Sequence, residues 1–191
     1  LRSRIMNIEL QKCLEILKNG GIILYPTDTV WGIGCDASNS HAIQKIFKLK
    51  NRSESKSMIC LVNNRNMLNN YVQNLPKGVN NIIDNETKPT TIIYNNPRGL
   101  SPKLIAKDKT VAIRIVNDEF CNELIRKFNK PIVSTSANLS NFETPKSFEE
   151  IHEDILKGVD YVVNLQSEKK LANPSQIVKL KKDGTVKVIR A

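Results

Sequence analysis

No apolar run in the 191 residues approaches the roughly 20 that a membrane helix needs, which argues against a helical membrane protein. The opening "LRSRIMNIEL" is too short and too polar for a secretory signal, so the expected compartment is the cytoplasm. Aromatic residues make up only 5% and no base-stacking motif is present, which weakens a nucleic-acid-binding module. The four cysteines, Cys13, Cys35, Cys60 and Cys121, form no C-x-x-C pair, and His41 and His152 stand at no ligand spacing from them. Buried free thiols in a reducing compartment are expected, and no metal centre. Also missing are the G-x-x-x-x-G-K-[ST] phosphate loop, G-x-G-x-x-G, G-x-S-x-G and H-E-x-x-H, so the usual nucleotide, hydrolase and zinc-protease sites are not written in this chain.

What is present suits one globular domain over residues 1–191 with an ample core: 40% apolar and 25% charged residues. A net charge of +10 fits nucleic acid, an acidic surface or a phosphorylated substrate and does not choose among them. Leu10, Cys13, Leu14 and Leu17 recur at helical spacing, predicting a helix over 7–19 with Asn7 as cap and Gly20 as stop. A strand over 22–25 follows, then a second extended piece in "VWGIGCDA". A helix over 40–50 has Asn39 or Ser40 as cap, and short helices fill 66–73 and 77–86. Residues 58–62, "TTIIYN", "TVAIRIV", "PIVSTS" and "DYVVNL" read as strands, and a helix occupies about 118–128. Ser147 and Glu150 form a capping-box pattern for a helix to about 157, and Asp183-Gly184 marks a hairpin between "SQIVKL" and "TVKVIR". Helices alternating with strands early and a hairpin at the end predict an α/β or α+β chain on a mixed parallel and antiparallel sheet.

Four clusters at strand ends and loops could carry chemistry. In "YPTDT", an extended chain puts Thr27 and Thr29 on one face and Asp28 on the other; Asp28 suits a base, a metal ligand or a turn residue. Lys50, Arg52 and Lys56 can converge on an anion, or form a solvated loop around Glu54. "STSAN" offers the side chains of Ser134, Thr135, Ser136 and Asn138 to a phosphate or carboxylate, or to a capping role. Arg114, inside an apolar strand, requires an anion, either from the protein or from a substrate.

In combination and in order, "YPTDTVWGIGCDA", "IFKLKNRSESKSM", "VAIRI" and "STSANLS" resemble the YrdC-type threonylcarbamoyl-AMP synthase family, over roughly residues 8–190. The resemblance implies one twisted mixed α/β sheet with flanking helices around a deep, positively lined cavity. It implies a nucleotidyltransferase that makes L-threonylcarbamoyl-AMP and pyrophosphate from L-threonine, bicarbonate or CO2, and ATP, with Mg2+ carried by the phosphates and no protein metal site. The product would serve adenosine 37 of tRNA through a separate transfer machinery, with a tRNA contact and no membrane. Carried over by position, Lys50 and Arg52 are the expected catalytic cations. Lys50, Arg52, Lys56, Thr110, Ser136, Asn138, Thr144 and Arg190 are the expected ATP contacts, and Thr29, Arg114, Ser134 and Ser175 the threonine contacts. The sequence departs from the family pattern in "TKPTTII", which lacks a glycine, in "IRIVND", which lacks a proline, at Asn141, where glycine is common, and at Gln176, where Thr is usual. Ending at Ala191, it matches a short form without the extra C-terminal domain of longer relatives. The alternatives are a double-stranded RNA or tRNA-binding module and a paralogue on the same fold with diverged activity.

Overall fold

The computed structural model describes residues 1–53, 58–165 and 173–191. Its helices are α1 (Arg2–Lys18), α2 (Ser40–Leu49), α3 (Arg65–Tyr71), α4 (Val79–Asp84), α5 (Glu119–Phe128) and α6 (Glu153–Gly158). Its strands are β1 (Ile23–Pro26), β2 (Trp31–Gly34), β3 (Ile59–Val62), β4 (Thr90–Asn95), β5 (Thr110–Ile115), β6 (Ile132–Ser136), β7 (Tyr161–Val162), β8 (Gln176–Leu180) and β9 (Val186–Arg190). None of the described helices is long and apolar enough to cross a membrane.

The predicted apolar stripe is the buried side of α1, with Leu10, Cys13 and Leu17 inside. The helix starts well before Asn7, which lies within it; no breaker interrupts "RSRIM", and the Ile5 N–H closes the first turn on the Leu1 carbonyl at 3.1 Å. Gly20, at φ +75°, takes the left-handed conformation that ends the segment. Asn39 caps α2 by accepting from the Ala42 N–H, and Asp118 caps α5 by accepting from the Cys121 N–H. The expected helix from Ser147 to 157 is two pieces. A single 3-10 turn covers Phe148–Glu150, Ile151 is extended at ψ 126°, and α6 restarts with His152 as its cap. Ser147 makes no side-chain cap bond, and Glu150 accepts instead from the Lys146 N–H at 2.7 Å. Burial of Ile151 to 5% exposure accompanies the break, so packing overrides the local capping signal.

The nine strands form one mixed sheet in the order β7-β1-β2-β6-β3-β5-β4-β8-β9, with flanking helices. β1–β7, β3–β5 and β4–β8 pair in parallel and the other neighbours antiparallel. Partners in register share a face, as do residues two apart. The pairs Cys60 with Val133, Cys60 with Ile113, Ile113 with Ile92, and Ile92 with Val178 run across one face, and all of these side chains are core. The opposite face follows from Gly32 with Ser136, Ile59 with Ser134 and Ala112, Leu61 with Arg114, Asn95 with Thr110, Thr91 with Ile177 and Ile177 with Arg190. Pairing therefore sets Ser134, Ser136, Thr110, Arg114, Thr91 and Arg190 on one side of the sheet. The four cysteines are buried and free, as composition suggested.

Candidate active site

The sheet is strongly curled. β1 stands four strands from β5, about 19 Å in a flat sheet at roughly 4.8 Å per strand. Yet Asp28, in the turn joining β1 to β2, accepts a hydrogen bond from Arg114 of β5 at 2.5 Å. The β1–β2 turn thus overhangs the face that carries the serines and Arg114. Two glycines permit the approach. A Cβ on Gly34 would lie 2.5 Å from the Val133 carbonyl oxygen, and one on Gly32 would lie 3.2 Å from Ser134 Oγ and 3.4 Å from Thr27 Cγ2. Tyr25 closes the floor, its hydroxyl donating to the Val133 carbonyl at 3.1 Å.

The turn is built by Thr27, not by Asp28. Thr27 Oγ1 accepts from the N–H groups of Thr29 and Val30 at 3.1 and 3.2 Å and donates to the Val30 carbonyl at 2.7 Å. Its hydroxyl also lies 3.0 Å from that of Thr29, so the two threonines meet, although in a bent chain rather than an extended one. Local backbone bonding thereby falls to the hydroxyl. The Asp28 carboxylate is left to cross the curl and pair with Arg114, which is 3% exposed.

Lys50 is the C-cap of α2 and only 1% exposed. Its Nζ donates to the Ser136 carbonyl, to the Asn138 carbonyl at 2.7 Å and to Asn138 Oδ1 at 3.4 Å. Ser136 Oγ donates to Asn138 Oδ1 at 2.5 Å, Asn138 Nδ2 donates to the Phe142 carbonyl at 2.7 Å, and the Ser140 N–H returns to the Lys50 carbonyl at 2.8 Å. Burial, then the charge of Arg52, pushes the Lys50 ammonium down to about 7. Arg52 is half-buried, and loss of solvent lowers its pKa as well. Lys56 lies outside the described residues.

At the other end of the face, Arg190 Nε and Nη2 donate to the Ser175 carbonyl at 3.0 and 2.7 Å. Ser175 Oγ lies 2.7 Å from Thr91 Oγ1. The Arg190 guanidinium is destabilised first by desolvation and then by Arg114, so two arginines press on this corner. Glu86 accepts from the Thr90 N–H, and burial raises its carboxyl against the pull of that bond and of Arg114.

The family model for Sua5, YciO and YrdC, described as "Telomere recombination", matches residues 15–191. The chain belongs to the Sua5/YciO/YrdC family. A protein of Methanocaldococcus jannaschii, provisionally named a threonylcarbamoyl-AMP synthase, is 35% identical over 187 residues, covering 94% of this chain and 86% of that one. The threonylcarbamoyl-AMP synthase of Saccharophagus degradans is 35% identical over 140 residues, 73% of each chain. Among solved structures, E. coli YciO has a TM-score of 0.82 at 24% identity, over 97% of this chain and 89% of that one. P. abyssi Sua5 complexed with L-threonine has a TM-score of 0.82 at 22% identity, over 90% of this chain and 50% of that one. This chain therefore spans about half the length of that Sua5, and the two structural likenesses speak to the fold.

Within this Sua5/YciO/YrdC fold, ten of the expected site residues fall into three groups and two outliers, while Arg52 lies beside Lys50 and Lys56 falls outside the described residues. Thr29 sits in the β1–β2 turn beside Thr27, Ser134 faces Gly32 at the start of β2, and Arg114 is anchored to the same turn through Asp28. Lys50, Ser136 and Asn138 form one hydrogen-bonded unit, and Ser175 with Arg190 forms another. Thr110 shares the face but stands four residues from Arg114, about 13 Å along the strand. Its hydroxyl donates to Asp108 at 2.6 Å. Thr144 lines a cavity of about 310 Å3 with Asn138, Phe142 and His152, and Phe142 is exposed. Asn141 takes a left-handed φ of 71°, a conformation that asparagine tolerates better than most residues other than glycine. Two site members, Thr91 as partner of Ser175 and Glu86, were not singled out by sequence, and Thr27 was singled out without its role as turn builder. Alternation within "TTIIYN" was the available signal for Thr91, because it shares a face with Ile93 and thus with Ala112 and Arg114.

Proposed function

We propose that the chain condenses L-threonine, bicarbonate or CO2, and ATP into L-threonylcarbamoyl-AMP, releasing pyrophosphate. One observation carries this. A corner marked by Ser134 and Arg114 below the turn that carries Thr29, and a hydrogen-bonded cluster of Lys50, Ser136 and Asn138 with Arg52 beside it, meet along β6. Ser134 and Ser136 are two residues apart on that strand, about 7 Å, so a carbamate held at one can meet a phosphorus held at the other. The names of the relatives and the P. abyssi complex with L-threonine point the same way.

In this mechanism the threonine amine adds to CO2 and loses a proton, giving a carbamate. A carbamate oxygen attacks the α-phosphorus, a new P–O bond forms, and the bond to the β-phosphate oxygen breaks. Such chemistry demands alignment and charge neutralisation more than a strong base. Arg114 receives the threonine carboxylate, Thr29 and Ser134 hold the amino-acid head, and Arg52 with Lys56 neutralises the phosphates. Ser136 and Asn138 orient the nucleotide, while Thr110, Thr144 and Arg190 flank it. ATP enters as its magnesium complex. Among the described residues, no cluster of three His, Cys, Asp or Glu could hold a metal, and the hard cation is suited to phosphate oxygens and water. The product would be passed in the cytoplasm to a tRNA threonylcarbamoyl-transfer machinery acting at adenosine 37.

The test uses the purified chain with labelled ATP, L-threonine and bicarbonate. Pyrophosphate release that depends on threonine is expected. Release no greater than in the control without threonine would overturn the synthase reading, and tight RNA binding in its place would favour a binding module.

A further inference from the structure

Asp28 has no task in the reaction as drawn, yet it makes the only side-chain bond that crosses from the β1–β2 turn to β5 among the described residues. Arg114 donates to it through Nη1 alone. The Arg114 Nε is buried and has no hydrogen-bond partner. A buried donor of this kind costs free energy unless a ligand satisfies it. A guanidinium is a rigid planar fork, and its Nε–Nη2 edge can take a carboxylate with two parallel bonds. Asp28 engages the nitrogen outside that edge. Neighbouring groups do not fill it: Glu86 is engaged by the Thr90 N–H, and Arg190, a second cation, is turned to the Ser175 carbonyl.

We propose that Asp28 is a positioning residue: it fixes the plane of Arg114 so that the Nε–Nη2 edge is presented to the free α-carboxylate of the amino-acid substrate, and so selects the acid over its amide. This rests on the threonine-activating reading above and deepens it. The sign of the effect separates the role from simple electrostatics. As a charge, Asp28 repels the incoming carboxylate, and its neutralisation would tighten binding. As a positioning group, it preorganises the fork, and its neutralisation weakens binding.

The measurement is calorimetric binding of L-threonine and L-threoninamide to the full chain. The wild type is expected to prefer the acid by about tenfold or more, the scale of a charge-assisted bidentate contact. In Asp28→Asn, affinity for L-threonine falls about tenfold while that for L-threoninamide stays put, so the preference collapses. Unchanged or tighter binding of L-threonine overturns the proposal. Because neutralising Asp28 leaves Arg114 buried without its counterion, Arg114→Lys is measured in parallel. Lysine keeps a charge for Asp28 but has no fork, and the same loss of preference is expected; wild-type preference there also overturns the proposal. A wild-type chain that binds the two compounds equally, or neither, would instead overturn the placing of the threonine carboxylate at Arg114.

Discussion

Arg114 and Lys50 are the two cations most deeply buried on the concave side, at 3% and 1% exposure, and they are satisfied in opposite ways. Arg114 faces a carboxylate and keeps a buried donor open. Lys50 faces neutral oxygens, and its three N–H groups have three acceptors in Ser136 and Asn138. A charge with open donors is prepared for a ligand. A charge whose donors are all engaged by the protein's own oxygens holds architecture, and here it ties the end of α2 to the loop after β6. The sequence presents Lys50 and Arg52 as one basic pair, and the structure gives them different settings: Lys50 is buried in the loop after β6, and Arg52 is half-buried beside it, near enough for its charge to lower the Lys50 pKa.

The largest effect expected from breaking that division comes at Arg52. Arg52→Ala should lower turnover about 100-fold, roughly 2.7 kcal/mol of transition-state stabilisation, with an unchanged unfolding midpoint. Steady-state pyrophosphate release and thermal unfolding check both halves. Wild-type turnover would remove Arg52 from the phosphates.

Lys50→Met should do the reverse, acting on the fold first. Two carbonyls lose their donor, and the loss is about 2 kcal/mol in urea unfolding, with activity falling as the Ser136–Asn138 loop loosens. The pH dependence sharpens the assignment. Lys50 has its pKa lowered from 10.5 to about 7 by burial, so between those values the unfolded chain binds the extra proton. Stability therefore rises from pH 7 toward pH 10, and below pH 7 the contribution is level. Urea titrations across that window should show the rise in the wild type and its loss in Lys50→Met. An equal slope in both would place the titration elsewhere.

How much of this was legible in sequence depends on the range of the interaction. Local signals sufficed for α2 with its Asn39 cap, for the strands at "TTIIYN" and "TVAIRI", and for the turn at Gly184, whose φ is +85°. The place of Arg114 inside an apolar strand already required an anion for it, and in β5 it lies on the face opposite Val111 and Ile113. The partner of Arg114 was not legible, because the bond to Asp28 spans 86 positions and exists only through the curl of five successive strands. Nor was the burial of Lys50: "KNRSESK" has the composition of a solvated loop, and only the return of the β6 loop over the end of α2 takes Lys50 out of water. Asp28 resembled a turn residue for good reason, but Thr27 made the turn's bonds and left the carboxylate to act at a distance.

The smallest effect is expected at the far end of the Arg114 corner. Ser175→Ala removes the hydroxyl that meets Thr91 Oγ1 at 2.7 Å, and Thr91 is fully buried. One unpaired hydroxyl costs about 1 kcal/mol. Arg190 should keep its place, because its two shorter bonds go to the Ser175 carbonyl and its contact with Oγ is 3.5 Å. The KM for ATP is therefore expected to stay within about threefold of the wild type, under 1 kcal/mol. Adding Thr91→Val should recover part of the lost stability, since removing both partners leaves no orphaned group. If the double variant is instead additive, the two hydroxyls do not bond each other. If Ser175→Ala alone raises the KM for ATP tenfold, Arg190 is held by the side chain, and this corner resembles the Lys50 unit more than the Asp28 pair.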